Sequence, residues 1–174
     1  LAGGEFGKRH SPERRLHLSK SNVTREPQAM DKALRAACAD GDLHKVSHLL
    51  AANADLNCAR HPSTGATPLL EATLAGHYNL ASYLLDHGAD CAEADARKNT
   101  PLHAAAASPA SETPAALSLA SALIAKGANV AAANHVEATP LHLASHRGKL
   151  GLIGLLARVS FASSGRAPGA WLQV

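Results

Sequence analysis

The tripeptide Thr-Pro-Leu occurs three times in this chain, and its spacing limits the possible fold more than any other feature. The copies begin at Thr67, Thr100 and Thr139, at intervals of 33 and 39 residues. A second signal, Gly-Ala-Asp or Gly-Ala-Asn, follows at 88–90 and 127–129, and leucine-rich segments lie between the signals. Self-similarity at such a period predicts repeated structural units that stack on one another to bury their apolar faces.

Each unit is predicted to contain two helices, because the repeated signals are helix starts and helix ends. Threonine before proline supplies an N-cap oxygen and then a first-turn residue whose φ is already helical. The first helix is expected to end at a left-handed glycine nine residues after the threonine, which is Gly76 or Gly148. The second is expected to end at Gly88 or Gly127, and Asn53 takes that place in the first unit because asparagine tolerates the left-handed region.

Composition favours a helical core. Hydrophobic residues make up 46% of the 174 residues, but aromatic residues only 3%. The core must therefore consist of Ala, Leu, Ile and Val, which suits close-packed helices better than sheets rich in aromatic and β-branched residues. No apolar run approaches the roughly 18 residues of a membrane span, and the first residues lack the apolar segment of a signal peptide.

The three cysteines have no motif spacing, which argues against a disulfide framework and for a reducing compartment. Cys38 and Cys91 are predicted to be small buried residues, and Cys58 lies nearer a turn. We therefore expect an intracellular protein, in the cytoplasm or the nucleus.

Thr-Pro-Leu-His followed by Gly-Ala-Asp, repeated with a period near 33, resembles the ankyrin repeat. The resemblance implies an all-α solenoid of stacked helix-turn-helix units joined by β-hairpin loops. The expected organisation is a disordered basic tail at 1–29, an ankyrin-repeat domain at 30–160 with repeats at about 30–62, 63–95, 96–134 and 135–160, and an irregular tail at 161–174.

The excess positive charge lies in the N-terminal tail. Residues 1–29 hold six Lys and Arg against three Glu, whereas residues 30–174 hold eleven of each sign. A charged segment with little apolar periodicity is typical of disorder, and Glu5-Phe6 is interpreted as a remnant of a cloning site. The balanced body argues against nucleic-acid binding. Binding of nucleic acid or a membrane surface through residues 8–25 is kept as a separate hypothesis.

Six extra residues enter the third repeat after Thr100. The first helix is expected to end near Ser108-Pro109, since proline cannot continue it, and Thr113-Pro114 repeats the helix-start signal. We interpret residues 108–114 as a lengthened loop between the two helices, which costs little entropy at a surface. A partner-binding role for this insertion is the alternative.

The two ends of the array depart from the pattern. Lys32 stands where the first threonine cap is expected, and Lys32, Arg35 and Asp40 predict a capping repeat whose outer face meets water. At the other end, Ser160 replaces the closing glycine. The outer apolar face of the last helix is therefore expected to be exposed, to fray and to favour self-association. That face is predicted to consist of Leu152, Ile153, Leu155 and Leu156.

Eleven histidines raise the question of a metal site. The pairs His44/His48 and His142/His146 have the i,i+4 spacing of two ligands on one helix face, but no Cys, Asp or Glu completes either set. The resemblance implies instead that His103 and His142 form hydrogen bonds within and between repeats. No nucleophile elbow, P-loop or zinc-protease motif is present. We expect no enzymatic activity, no cofactor, no metal and no small-molecule substrate.

The resemblance implies a protein-interaction module, a scaffold or adaptor that binds a partner through the hairpin tips and the exposed side of the first helices. The alternative is a regulatory or targeting domain of a larger enzyme. Mapped onto this sequence, the expected partner-binding residues are Ser63, Thr64, Arg97, Asn99, His135, Glu137, His146 and Arg147. The helix positions on the same surface are expected to include Leu74, Ala75, Ala107 and Ser108.

Asn57 is a candidate modification site. Leu49, five further residues and then Asp55-Leu56-Asn57 resemble the pattern at which asparagine is hydroxylated in ankyrin arrays. The alternative is that Asn57 only forms hydrogen bonds in its turn, and the sequence leaves both interpretations open.

Overall fold

The computed structural model describes residues 25–57, 59–109 and 113–163. The predicted disorder of residues 1–24, the irregular tail from residue 164, the role of Cys58 and the middle of the insertion lie outside these residues. Eight helices occur in the described part of the chain: α1 Arg25–Asp40, α2 Leu43–Ala51, α3 Pro68–Leu74, α4 Tyr78–Asp86, α5 Pro101–Ala107, α6 Pro114–Ala125, α7 Pro140–His146 and α8 Leu150–Ser163.

The helices form four consecutive pairs stacked in two layers. The first helices of the pairs, α1, α3, α5 and α7, contact one another in order along one layer. In the other layer α4 contacts α6, and α6 contacts α8. The expected all-α repeat architecture is confirmed. Between the layers lies one continuous core whose largest fully buried side chains include Leu34, Leu69, Leu84, Leu85, Leu102, Leu119 and Leu123.

The predicted threonine caps are present. The hydroxyl oxygen of Thr67 accepts a hydrogen bond from the backbone N–H of Leu70 at 3.4 Å. That of Thr113 accepts one from the N–H of Ala116 at 3.3 Å. In each case the following proline lies in the first helical turn. Backbone N–H groups in this turn have no acceptor within the helix, so proline loses no hydrogen bond by lacking an N–H. The sequence signal therefore has the local effect that it predicts.

The helix ends have the predicted left-handed backbone. Gly88 and Gly127 both have a φ of 92°, and Asn53 has a φ of 63°. Gly76 and Gly148 are also in the left-handed region. The second helices therefore end at corresponding positions, and each chain segment can turn towards the next hairpin.

Gly41, between α1 and α2, offers the first testable prediction. Its φ is 76°, and a Cβ built on it would lie 2.6 Å from Nδ1 of His77. The Nε2–H of His77 donates to the carbonyl of Ala39 at 3.0 Å, so the ring is held against α1. We expect Gly41→Ala to lower the free energy of unfolding by about 2 kcal/mol, through left-handed strain and displacement of the ring.

Gly88→Ala is the matched control, because Gly88 also has a positive φ, but among the described residues no atom beyond its own chain neighbours lies within 4 Å of its added Cβ. Only the backbone strain of about 1 kcal/mol is expected there. Both variants are compared with the wild type by denaturant unfolding. Equal losses at the two positions would show that contact with His77 is unimportant.

The extra residues of the third repeat are divided between a loop and a helix. α5 ends at Ala107 and Thr113 caps α6, as predicted. Six residues separate α5 from α6, against three between α3 and α4, and α6 has twelve residues against nine in α4. The prediction that the whole insertion forms a loop is therefore correct for three of the six residues and wrong for the other three. Three residues lengthen α6, because Thr113-Pro114 starts the helix early.

The first helix begins earlier than the sequence predicts. α1 starts at Arg25, so Lys32 lies inside the helix and no cap is needed there. Lys32 and Asp40 are exposed, as expected of a capping repeat, whereas Leu34 and Cys38 are fully buried. One side of α1 thus faces water and the other contacts α3.

The last helix is packed inwards. Leu152 and Leu156 are each 1% exposed and belong to the core, and Ile153 and Leu155 are half-buried against it. The prediction that these four side chains face outwards was wrong, because their side of α8 contacts α6 and α7. Leu150 and Phe161 are the large exposed residues of α8. The helix continues to Ser163, three residues past the expected boundary. Self-association through this end stays a prediction.

Candidate functional site

A groove crosses the first helices of the first three repeats, beside the hairpin turns. It consists of three adjoining cavities of about 520, 780 and 230 Å³. The first two cavities share Ala39, His61 and Glu71, and the last two share Leu74, Asp95, Arg97 and Asn99. The groove has a wall, formed by the hairpin turns, and a floor, formed by the first helices. Because the cavities share residues of both, the groove is continuous from α1 to the turn before α7.

The hairpin turns that form the wall are linked from repeat to repeat by the backbone. The N–H of Ala96 donates to the carbonyl of Thr64 at 2.8 Å, and the N–H of His135 donates to the carbonyl of Arg97 at 2.9 Å. These bonds hold neighbouring turns at a fixed spacing. In the described residues the turns contain no strand, so the expected hairpins are tight turns, each closed by two backbone hydrogen bonds.

An internal hydrogen-bond network fixes the turn that carries Arg97. Oδ1 of Asp95 accepts from the N–H groups of Arg97 and Asn99, each at 2.8 Å, and its Oδ2 accepts from Nδ2 of Asn99 at 3.0 Å. Nδ2 of Asn134 donates to Oδ1 of Asn99 at 3.0 Å. The structure thus gives the Asn99 side chain an internal role. The side chain of Arg97 is exposed and has no hydrogen bond or ion pair among the described residues.

The floor of the groove is made of small residues around one exposed leucine. Leu74, at the end of α3, is 45% exposed, and Ala39 and Ala75 beside it are also exposed. Ser108 was expected on this surface, but it is 2% exposed. The hydroxyl of Ser108 interacts with the hydroxyl of Tyr78. Burial raises the pKa of Tyr78, and this interaction partly opposes the rise. The turn at Pro109 therefore directs Ser108 inwards.

Glu71 places a half-buried carboxylate in the floor. Burial raises its pKa above the ordinary value, and electrostatic interactions with His61 and Arg35 oppose that rise. Within the described residues, Glu71 forms no ion pair, and its carboxylate accepts no hydrogen bond. Sequence reasoning missed this residue. The sequence did contain a signal. Glu71 lies four residues after the threonine of its repeat, and at the same position the later repeats have the apolar residues Ala104 and Leu143.

The structure brings part of the predicted partner-binding set together. Ser63, Thr64, Arg97 and Asn99 line the central cavity, and His135 lines the third. The remaining members, Glu137, His146 and Arg147, are exposed but lie outside these three cavities. The predicted surface is thus larger than the groove and extends past it towards the end of α7.

Asn57 lies at a different edge and joins two repeats. Its Nδ2 donates to the carbonyl of Gly88 at 3.4 Å, and the N–H of Asp90 donates to its Oδ1 at 3.0 Å. These bonds give Asn57 the structural role that the sequence left open. Hydroxylation of the same residue stays a prediction.

Two histidines of the repeated motif cap their helices as the resemblance implies. Nδ1 of His103 accepts from the N–H of Thr100 at 3.2 Å, and Nδ1 of His142 accepts from the N–H of Thr139 at 3.1 Å. His103 also donates from Nε2–H to the carbonyl of Ala138 at 3.0 Å, and so joins the third repeat to the fourth. No three metal-ligating side chains come together in the described part of the chain.

Cys38 is chemically protected by its position. Burial, together with the negative charge of Glu71, raises the pKa of its thiol to about 12. Because the thiolate is the reactive form of cysteine, this side chain is inert at neutral pH. The predicted buried positions of Cys38 and Cys91 are confirmed.

Comparison with known proteins gives a family match over most of the helical region. The family model described as ankyrin repeats, in three copies, matches residues 33–132. Arf-GAP with coiled-coil, ANK repeat and PH domain-containing protein 2 from Rattus norvegicus, Mus musculus and Homo sapiens is in each case 36% identical over 70 residues. The matched region covers 40% of this chain and 9% of each relative's length. Among the described helices, none is long and apolar enough to span a membrane.

Proposed function

Because the chain belongs to the ankyrin-repeat family, we propose that it is a non-catalytic module that binds a partner protein through the groove and its hairpin turns. Ankyrin repeats generally mediate protein–protein interaction. The observation that carries the proposal is the continuity of three cavities across three repeats. Such an extended surface suits a polypeptide, whereas small-molecule sites are usually single enclosed pockets.

A scaffold or adaptor role is the simplest form of this proposal. A regulatory or targeting domain of a larger enzyme is the second candidate, favoured by relatives whose name combines ANK repeats with an Arf-GAP and a PH domain. Cleavage of the natural full-length protein between its repeats and any catalytic domain, followed by activity assays, distinguishes the two. We propose an intracellular location, supported by the free thiols of Cys38 and Cys91.

Arg97 and Arg147 are the proposed cationic contacts of the partner. Both side chains are exposed, and neither guanidinium has a hydrogen bond or ion pair among the described residues. Each can form a bidentate bond with a carboxylate while its stem covers apolar surface. We expect Arg97→Ala with Arg147→Ala to weaken binding of an affinity-captured partner by about 2 kcal/mol, measured by calorimetry.

Arg158→Ala is the control, since Arg158 is exposed on α8, outside the groove. Exposed substitutions of this kind change stability by only about 0.5 kcal/mol each, so thermal melts of all three proteins should agree. Unchanged affinity in the double variant would move the binding site away from these arginines. A large fall in its melting temperature would show that they are structural.

A further inference from the structure

The central cavity of the groove presents three different chemical groups to a bound chain. Glu71 and Leu74 lie one helical turn apart on α3, and Arg97 projects from the next hairpin turn. All three line the same cavity of about 780 Å³. A ligand in this cavity therefore meets a carboxylate, an apolar side chain and a guanidinium together.

The groups around Glu71 leave its carboxylate without a direct partner. The guanidinium of Arg35 donates to the backbone carbonyl of Arg60, and Nδ1 of His61 accepts the hydrogen bonds of its own turn from Ser63 and Thr64. Neither Arg35 nor His61 forms an ion pair with Glu71 among the described residues. A half-buried charge without a hydrogen-bonded partner is unfavourable, and a donor brought by a ligand would remove that penalty.

Arg97 presents the opposite charge to a bound chain. The oxygens of Asp95, the nearest carboxylate of its turn, already accept three hydrogen bonds from Arg97 and Asn99. The guanidinium of Arg97 therefore remains available for a carboxylate of the ligand. Leu74, between the two charged groups, offers apolar surface that water covers in the free protein.

We infer that the groove selects a partner segment in which a basic side chain pairs with Glu71, an apolar side chain covers Leu74 and an acidic side chain pairs with Arg97. This inference rests on the proposed function, because it specifies the partner of the same groove. The occupant is a polypeptide of mixed charge, and a purely acidic or purely basic segment leaves one of the two charges unpaired.

The test selects binders from a randomised peptide library displayed on phage against the full chain. Selected peptides are then synthesised and titrated against Glu71→Gln, with Glu93→Gln as the matched control. Glu93 pairs with Arg60 and does not line the groove, so its substitution removes the same charge elsewhere. Thermal unfolding is measured in parallel, and Glu71→Gln is expected to remain as stable as the wild type, since it removes an unpaired charge.

We expect the wild type to enrich peptides with a basic residue close to an apolar one. Glu71→Gln is expected to weaken their binding about tenfold, while Glu93→Gln leaves it unchanged. Selection against Glu71→Lys should replace the basic preference with an acidic one.

Two results would overturn this inference but leave the proposed function standing: a basic preference that persists with Glu71→Gln, or equal effects of the two glutamine variants. Two other results would overturn the proposed function as well: failure to enrich any peptide, or peptides that bind Leu74→Asp as well as the wild type.

Discussion

His103→Ala is expected to lower the free energy of unfolding by about 3 kcal/mol. The imidazole is 1% exposed, and it bonds both to the N–H of Thr100 and to the carbonyl of Ala138 in the next repeat. The substitution leaves a cavity and removes the partners of two backbone groups. Denaturant unfolding, extrapolated to water, measures the loss.

His142→Ala is the matched control for this prediction. His142 holds the same motif position and caps its helix in the same way, but its ring is exposed. We expect a loss of about 1 kcal/mol there, which is the usual contribution of a cap. Equal losses in the two variants would show that the bond from His103 to the next repeat contributes nothing.

The same histidine predicts a pH dependence of stability. Burial lowers the pKa of His103 below its ordinary value of 6.5, and the bond to Ala138 only partly opposes this. The unfolded chain therefore binds the proton more readily than the folded one, so stability is lost as the pH falls below about 6.5. We expect the slope of unfolding free energy against pH between about 7 and 5 to be shallower in His103→Ala than in His142→Ala. Identical slopes would contradict the assignment.

Leu152→Ala is also expected to lower the free energy of unfolding by about 3 kcal/mol. Its side chain is 1% exposed in the core between α8 and its neighbours, so truncation leaves a cavity that the surroundings fill only in part. Leu150→Ala, two residues earlier on the same helix, is the control because its side chain is 77% exposed. A change within about 0.5 kcal/mol is expected there. If the control lost more than Leu152→Ala, α8 would be rotated as the sequence first indicated.

The orientation of α8 could not be predicted because its sequence does not mark an outer face. LGLIGLLA is apolar on all sides, whereas an ordinary surface helix has a polar stripe that identifies the solvent side. The caps at Thr67 and Thr113, by contrast, were predictable because each depends on a hydroxyl and an N–H only three residues apart. Local chemistry thus determines the helix starts, and tertiary contact determines which side is buried.

The candidate site was predictable to a similar extent. The resemblance placed the hairpin tips, and Arg97 lies there as an exposed side chain. It did not reveal that Asn99 is held by Asp95 and Asn134, since these bonds depend on how two repeats stack. Glu71 was missed for the same reason, because its position in the floor follows from the approach of the first hairpin turn to α3.

Amide hydrogen exchange of the chain, with and without a partner protein isolated by affinity capture, tests the central claim most directly. If the partner occupies the groove, added protection should appear at the hairpin turns and at the groove ends of α1, α3 and α5. The second-layer helices α4 and α6 should be unaffected. Protection confined to α4, α6 and α8, with the hairpin turns exchanging as in the free protein, would contradict the claim that the groove is the binding surface.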